Sequence, residues 1–151
     1  MLKKMLGAGG VLIVAFGVVA AAWKYREPLQ IWYALGTVPA LRFEGVRDLE
    51  GTPFAEFSLT NTGDHPLYFV GSGPSHPIAL AEGVRAGKLD VFDYPICGTG
   101  LEVHAFEPGS TVSIMVVVDE EYERKRAFVE LQRTPDGESV SIYSRVFDDL
   151  E

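Results

Sequence analysis

The sequence has only one cysteine and three histidines, and no acidic residue before Glu27. A single cysteine, Cys97, permits no internal disulfide and no zinc site built on several thiolates at fixed spacing. All 21 acidic residues therefore lie from Glu27 onward, where nine basic residues leave a net charge of −12. Because so acidic a body repels phosphate backbones, nucleic acid is not expected as a partner.

Catalytic signatures are also missing from the sequence. It contains no Gly-x-Ser-x-Gly elbow, no His-Glu-x-x-His pair and no phosphate-binding glycine loop. These patterns place a nucleophile, a metal or a phosphate at a defined point of a fold, and nothing else in the chain replaces them. The sequence therefore predicts a protein that is not an enzyme, with no catalytic residue, no metal ligand and no cofactor.

The N-terminus carries one long apolar run. After Lys3 and Lys4, 19 uncharged residues extend from Met5 to Trp23. At about 1.5 Å per residue, a helix of this length matches the hydrocarbon core of a bilayer. Residues 1–23 are therefore predicted to be a transmembrane anchor or uncleaved signal, which places a single-pass protein in the inner (cell) membrane with its body outside the cytoplasm. The small residues near Ala22 leave an alternative open, cleavage there and secretion of the body.

A short juxtamembrane helix or linker is predicted over residues 24–39. Pro28 can start this helix, and Gly36 can end it. Trp32 and Tyr33 follow closely on the apolar run, where aromatic rings favour the headgroup layer of a membrane. The alternative is that these rings pack on the rest of the protein.

Beyond residue 39 the chain alternates apolar and polar residues with period 2, and Gly, Pro, Asn and Asp interrupt the alternation. This pattern predicts about seven or eight antiparallel strands, and hence an all-β sandwich over residues 40–147. Residues 148–151 form an acidic tail. The turns NTGDHP and TPDGES are expected to have positive φ at Gly63 and Gly137. The predicted strands are 40–46, 54–61, 66–70, 88–94, 101–106, 111–118, 126–133 and 139–147.

The segments FSLTNTGDHPLYF and FEPGSTVSIMVVV resemble those of immunoglobulin-like or fibronectin type III-like domains of bacterial envelope proteins. In such domains a strand ends in Asn-x-Gly, an apolar strand follows, and a Pro-Gly turn leads into a later core strand. The resemblance covers roughly residues 40–147 and is architectural. It implies an immunoglobulin-like β-sandwich and no catalytic residue. The paired cysteines and core tryptophan of antibody-type domains are absent, since Trp32 precedes the sandwich.

The stretch YPICGTGLEVHAFEPGS raises the possibility of a metal or redox site. Cys97 and His104, with the other histidines and Met115, are ligand types of a copper centre. However, they lack the close spacing on one loop that such centres show, and His104 is expected to face solvent while Val103 and Ala105 face inward. The sequence therefore favours Cys97 as a turn residue, with metal or redox chemistry kept as the alternative function.

A long connection rich in Gly, Pro and Ser is predicted over residues 71–87, and long connections often carry function. Together with the turn at 94–99 it is the predicted interaction surface. The sequence thus indicates a non-catalytic, membrane-anchored, extracytoplasmic β-sandwich that binds a protein partner or a polymer of the envelope. The residues assigned to that surface are His76, Tyr94, Cys97 and Thr99.

Overall fold

The computed structural model describes residues 26–92 and 100–147, and within these ranges the chain forms one helix and ten strands. The helix is α1 (Arg26–Leu35). The strands are β1 (Ala40–Leu49), β2 (Thr52–Thr60), β3 (Leu67–Gly73), β4 (His76–Pro77), β5 (Ala79–Arg85), β6 (Lys88–Phe92), β7 (Glu102–Phe106), β8 (Thr111–Val117), β9 (Glu123–Gln132) and β10 (Ser139–Tyr143).

The strands form two antiparallel sheets that pack face to face, so the predicted all-β, sandwich-like fold is confirmed in its class. Sheet A contains three strands in the order β1-β2-β8. The registers Phe57↔Phe43 and Phe57↔Ile114 place residues of all three strands side by side on one face. Because side chains alternate between faces with period 2, that face is apolar and turns inward.

Sheet B contains the other seven strands, with the order β4-β3-β9-β5-β6. Strand β7 pairs with β3, and β10 pairs with β9 on the side opposite β5, because Phe128 is in register with both Leu80 and Tyr143. Strand β9 is therefore the centre of sheet B. Its inward residues Val129 and Leu131 are buried.

The core lies between the two sheets and contains the predicted apolar sets. Ala55, Phe57 and Leu59 of β2 are fully buried, as the alternation along that strand predicts. For the last strand the alternation predicts Val140, Ile142 and Val146 as the inward set, and the structure differs at Val146. Strand β10 ends at Tyr143, and Phe147 rather than Val146 is buried, because the chain beyond the strand no longer follows period 2.

Residues 71–87 are not the long connection that the sequence predicted. They contain the end of β3, the short strand β4 and all of β5. Strand β5 pairs with both β6 and β9, so it lies within sheet B. The hairpin that replaces the predicted loop requires Gly71, because a Cβ there would lie 2.3 Å from the carbonyl oxygen of His76.

The predicted backbone conformations at two turns are also wrong. Gly63 and Gly137 are not among the glycines with positive φ. Space is tight at each position: a Cβ at Gly63 would lie 3.0 Å from the Thr37 side chain, and one at Gly137 would lie 2.8 Å from Thr134 Oγ1.

Helix α1 lies within the segment 24–39 and ends at Gly36, whose φ of 76° is the left-handed conformation that closes many helices. No helix within residues 26–92 and 100–147 is long and apolar enough to cross a membrane. The predicted anchor at 1–23 and the acidic tail at 148–151 lie outside the described residues.

Candidate functional site: a groove between two strand edges

A groove of about 1300 Å³ lies between α1, the first half of β1 and the edge of β10. It joins one edge of sheet A to one edge of sheet B, with the helix as a third wall. Its volume exceeds the range of about 300–1,000 Å³ that is typical of clefts for small-molecule ligands. The residues that line it are Glu27, Pro28, Leu29, Gln30, Ile31, Tyr33, Ala34, Val38, Pro39, Ala40, Leu41, Arg42, Phe43, Val140, Ser141, Ile142, Tyr143 and Arg145.

Both strands beside the groove are edge strands in the described part of the chain. Strand β1 pairs there only with β2, and β10 pairs only with β9. An edge strand presents backbone N–H and C=O groups that another strand can use. The groove is therefore bordered by two rows of backbone hydrogen-bonding groups that no described strand occupies.

The floor of the groove contains core-facing side chains that the sandwich leaves partly open. Phe43 is in register with Phe57 on the inner face of sheet A, yet 44% of its surface is exposed. Its ring packs edge-on to that of Phe57 at 5.4 Å and stacks on that of Phe147 at 6.3 Å between centroids. These contacts hold the ring in place, so the groove has a fixed aromatic wall.

Charged groups stand among the apolar lining. Glu27 of α1, Arg42 of β1 and Arg145 after β10 are the ionisable residues with formal charge along the groove. Gln30 and Ser141 add neutral donors and acceptors. An apolar cleft with a few polar groups suits binding, because the apolar surface supplies affinity and the polar groups fix orientation.

His65 connects the end of α1 to the body and so fixes the third wall of the groove. Its Nε2 lies 2.7 Å from the Leu35 carbonyl oxygen, and its Nδ1 lies 3.0 Å from Asp64 Oδ1. The hydrogen bond to the Asp64 carboxylate, followed by that to the Leu35 carbonyl, raises the pKa of His65 above 6.5, against smaller opposing effects of burial and of Arg133. Protonated His65 donates both bonds. The same interaction lowers the pKa of Asp64.

Asn61 holds the turn that carries His65. Its side chain is fully buried, and its Nδ2 donates to the carbonyl oxygens of Phe106 at 2.8 Å and His65 at 3.0 Å. Its Oδ1 accepts from the Gly63 N–H at 3.0 Å. The Asn-x-Gly pattern noted in the sequence is thus a buried amide that joins the end of β2 to β7.

The residues that the sequence assigned to an interaction surface fall elsewhere. His76 is exposed on β4, whereas Tyr94, Cys97 and Thr99 lie outside the described residues. Their assignment to one surface stays a prediction. The groove residues were missed because β1 reads as an ordinary amphipathic strand, and its position at an edge follows only from the pairing of the sheets.

The prediction for His104 is wrong in its orientation. His104 is in register with the buried Phe69, and the two rings lie 5.8 Å apart, so His104 lies on the inward side of β7 with Phe106. Val103 is 45% exposed on the opposite face. Within the described residues the buried Nε2 of His104 has no hydrogen-bond partner.

The possible copper ligands are not brought together where the structure describes them. Both ring nitrogens of His65 are engaged, His76 is exposed, and Met115 is exposed on sheet A while His104 lies in sheet B. Residues 26–92 and 100–147 hold no group of three His, Cys, Asp or Glu side chains that could bind a metal. Cys97 lies outside these ranges.

Comparison of the chain with models of known protein families finds no match, and comparison with curated proteins finds none either.

Proposed function

We propose that this protein is a non-catalytic, single-pass membrane protein of the bacterial envelope whose extracytoplasmic β-sandwich binds an extended segment of a partner protein. The observation that carries the proposal is the groove, in which a partly open apolar floor lies beside two strand edges. A segment laid along β1 or β10 would form backbone hydrogen bonds with the edge. Alternate side chains of the segment would enter the groove.

The proposal also includes the type of β-sandwich. We place the sandwich among the immunoglobulin-like or fibronectin type III-like domains. Two antiparallel layers and the buried Asn61 turn support this. The anchor at 1–23, the inner-membrane location and the extracytoplasmic body rest on the apolar run from Met5 to Trp23. The predicted contact of this protein with the membrane is that helix.

Site-specific photo-crosslinking in cells tests the groove as the binding surface. A photoreactive residue at Phe43 reports on the groove, and one at Met115 is a matched control, because the two side chains are 44% and 45% exposed and Met115 lies on the outer face of sheet A. We expect the Phe43 position to form a discrete crosslinked product with another protein and the Met115 position to form none. Crosslinking at Met115 but not at Phe43 would contradict the proposal.

The location is tested separately. A reporter active only outside the cytoplasm, fused after Glu151, is expected to be active, and the protein is expected to stay in the membrane pellet after a high-salt wash. Release of a soluble protein that begins near Trp23 would show cleavage near Ala22 and secretion instead.

Titration with copper and zinc distinguishes the proposed function from the alternative, a metal-binding or redox sandwich that uses Cys97 and histidines. Stoichiometric binding that disappears in Cys97→Ser would favour this alternative over the groove. Binding with no dependence on Cys97 would leave the alternative without its ligand.

A further inference from the structure

Helix α1 has two apolar faces, and the part of the body that the structure describes covers only one of them. Ile31 and Leu35 pack on the core. Leu29, Trp32 and Tyr33 lie on the other side, with exposed fractions of 60%, 57% and 84%. Their spacing of i, i+3 and i+4 places the three side chains on one face of a helix. A second apolar stripe is therefore left uncovered by the described part of the body, with Leu29 and Tyr33 at the border of the groove and Trp32 outside it.

The ten described residues of α1 have little of their apolar surface buried against the described part of the body. Isolated helices shorter than about 12–15 residues are marginal in water, and most helical stability comes from burial of an apolar face. Of the ten residues of α1, only Leu35 is buried and only Ile31 is half-buried. The contact with the body therefore covers a small part of the helix, and the uncovered stripe is the larger apolar face.

The distance from the predicted anchor limits what can cover this stripe. The uncharged run ends at Trp23, three residues before α1 begins at Arg26. Three residues span at most about 10 Å. The headgroup layer of one leaflet is itself roughly 5–8 Å thick. If the run crosses the membrane, the first turn of α1 must lie in the headgroup layer or at its outer boundary.

The chemistry of the stripe matches that location. Tryptophan and tyrosine are enriched at membrane–water interfaces because an apolar ring there keeps its polar N–H or O–H in contact with water. Lys24 and Arg26 flank the start of the helix, where basic side chains meet lipid phosphates while their stems stay among apolar groups. The acidic body, in contrast, has no attraction for anionic lipid.

We propose that α1 lies in the lipid headgroup layer with Trp32 directed toward the acyl chains and with Leu29 and Tyr33 at the border between lipid and groove, so that the body is held against the membrane in one orientation. The inference rests on the proposed membrane anchor. The His65 contact at the end of the helix joins it firmly to the sandwich. Because α1 is also a wall of the groove, the groove then opens beside the membrane surface, and its partner is a segment close to the bilayer.

Trp32 is not among the residues that line the groove, so it reports on lipid contact separately from partner binding. The chain has two tryptophans, Trp23 and Trp32. Trp23→Phe leaves Trp32 as the only tryptophan, and Trp32→Phe leaves Trp23. Both variants of the full chain are reconstituted into phosphatidylcholine vesicles with acyl chains brominated near the headgroup or near the chain end, since bromine quenches tryptophan only on contact.

The proposal predicts that Trp32 emits at shorter wavelength in vesicles than in unfolded protein and loses more emission to shallow than to deep bromines. The proposal is overturned if aqueous iodide quenches Trp32 and bromolipid does not, while bromolipid quenches Trp23. The N-terminal run would then be in the membrane, and α1 would lie in water. Trp32 shielded from both quenchers would also overturn the proposal, because a protein would then cover the stripe. If bromolipid does not quench Trp23, the proposed membrane anchor itself is contradicted.

A second measurement does not depend on the tryptophan substitutions. Hydrogen exchange of the α1 amides in the unmodified full chain is expected to be slower in vesicles than in the isolated fragment 26–151, while exchange in β2 stays the same. Equal exchange of α1 in both states would contradict contact with lipid.

Discussion

Replacing Asn61 by alanine is expected to destabilise the sandwich by about 4 kcal/mol, because the change leaves three backbone groups without partners. The Phe106 carbonyl loses a buried hydrogen bond of 2.8 Å, and the His65 carbonyl and Gly63 N–H lose half-buried bonds of 3.0 Å each. An orphaned buried group costs about 1–3 kcal/mol. We assign about 2 kcal/mol to the buried group and about 1 kcal/mol to each of the others.

The isosteric change Asn61→Asp separates hydrogen bonding from packing. Its carboxylate keeps the shape of the amide but has two acceptor oxygens, and one of them would face the carbonyl oxygens of His65 and Phe106, which now accept from Nδ2. At neutral pH this variant is expected to lose at least as much stability as Asn61→Ala. The stability loss of Asn61→Asp should become smaller relative to that of Asn61→Ala as the pH falls, because a protonated carboxyl regains one donor.

Urea unfolding of fragment 26–151, followed by far-ultraviolet circular dichroism, measures both variants. Ser113→Ala is the control, since the Ser113 hydroxyl makes an exposed hydrogen bond to Glu56 at 3.0 Å. The loss of unfolding free energy in this control should stay within about 0.5 kcal/mol. A loss below about 1 kcal/mol for Asn61→Ala would refute the reasoning, because water would then satisfy the three groups as well as the amide does.

Three further predictions concern the helix, its histidine and the cysteine. A fragment that begins at Arg26 should be more stable than one that begins at Thr37 by at least about 3 kcal/mol, since the shorter one lacks the fully buried Leu35; equal urea midpoints would contradict this. Because the pKa of His65 is raised on folding, the contribution of His65 to the free energy of unfolding is fully present below about pH 6.5. This contribution is lost as the pH rises through the pKa of His65 in the folded state. His65→Gln should therefore flatten the pH dependence of unfolding in that window, and an unchanged slope would exclude the assigned bonds. Cys97 in the folded protein should react slowly with a thiol reagent and Cys97→Ala should cost on the order of 1 kcal/mol, whereas rapid labelling or a disulfide-linked dimer would show an exposed thiol.

Period-2 alternation with turn residues between the runs was enough to predict most strands, because each such strand has one apolar and one polar face. In β2, Ala55, Phe57 and Leu59 all point inward as predicted. The end of α1 at Gly36 could equally be predicted from the sequence, since glycine reaches positive φ without steric cost. These features depend on residues next to one another in the chain.

Strand β5 could not be read in this way. It lies between β6 and β9 and is buried on both faces at Ala81, Glu82 and Gly83. A strand buried on both sides has no alternating pattern, and its small residues resemble those of a connection. Glu82 is tolerated there because Arg126 of β9 forms an ion pair with it.

The orientation of β7 and the existence of the groove were decided by packing alone. Both faces of β7 carry apolar residues, Val103 on one and Phe106 on the other, so the alternation is equally compatible with either face turned inward. Sheet A covers only the face with Phe106, and His104 is therefore inside. In the same way, whether Phe43 lies in a closed core or beside an open edge depends on which strand pairs with β1. The sequence by itself thus determined which segments extend and which residues are apolar. Only the pairing of distant strands determined which apolar residues are covered, because burial is a property of the neighbours that the fold brings together.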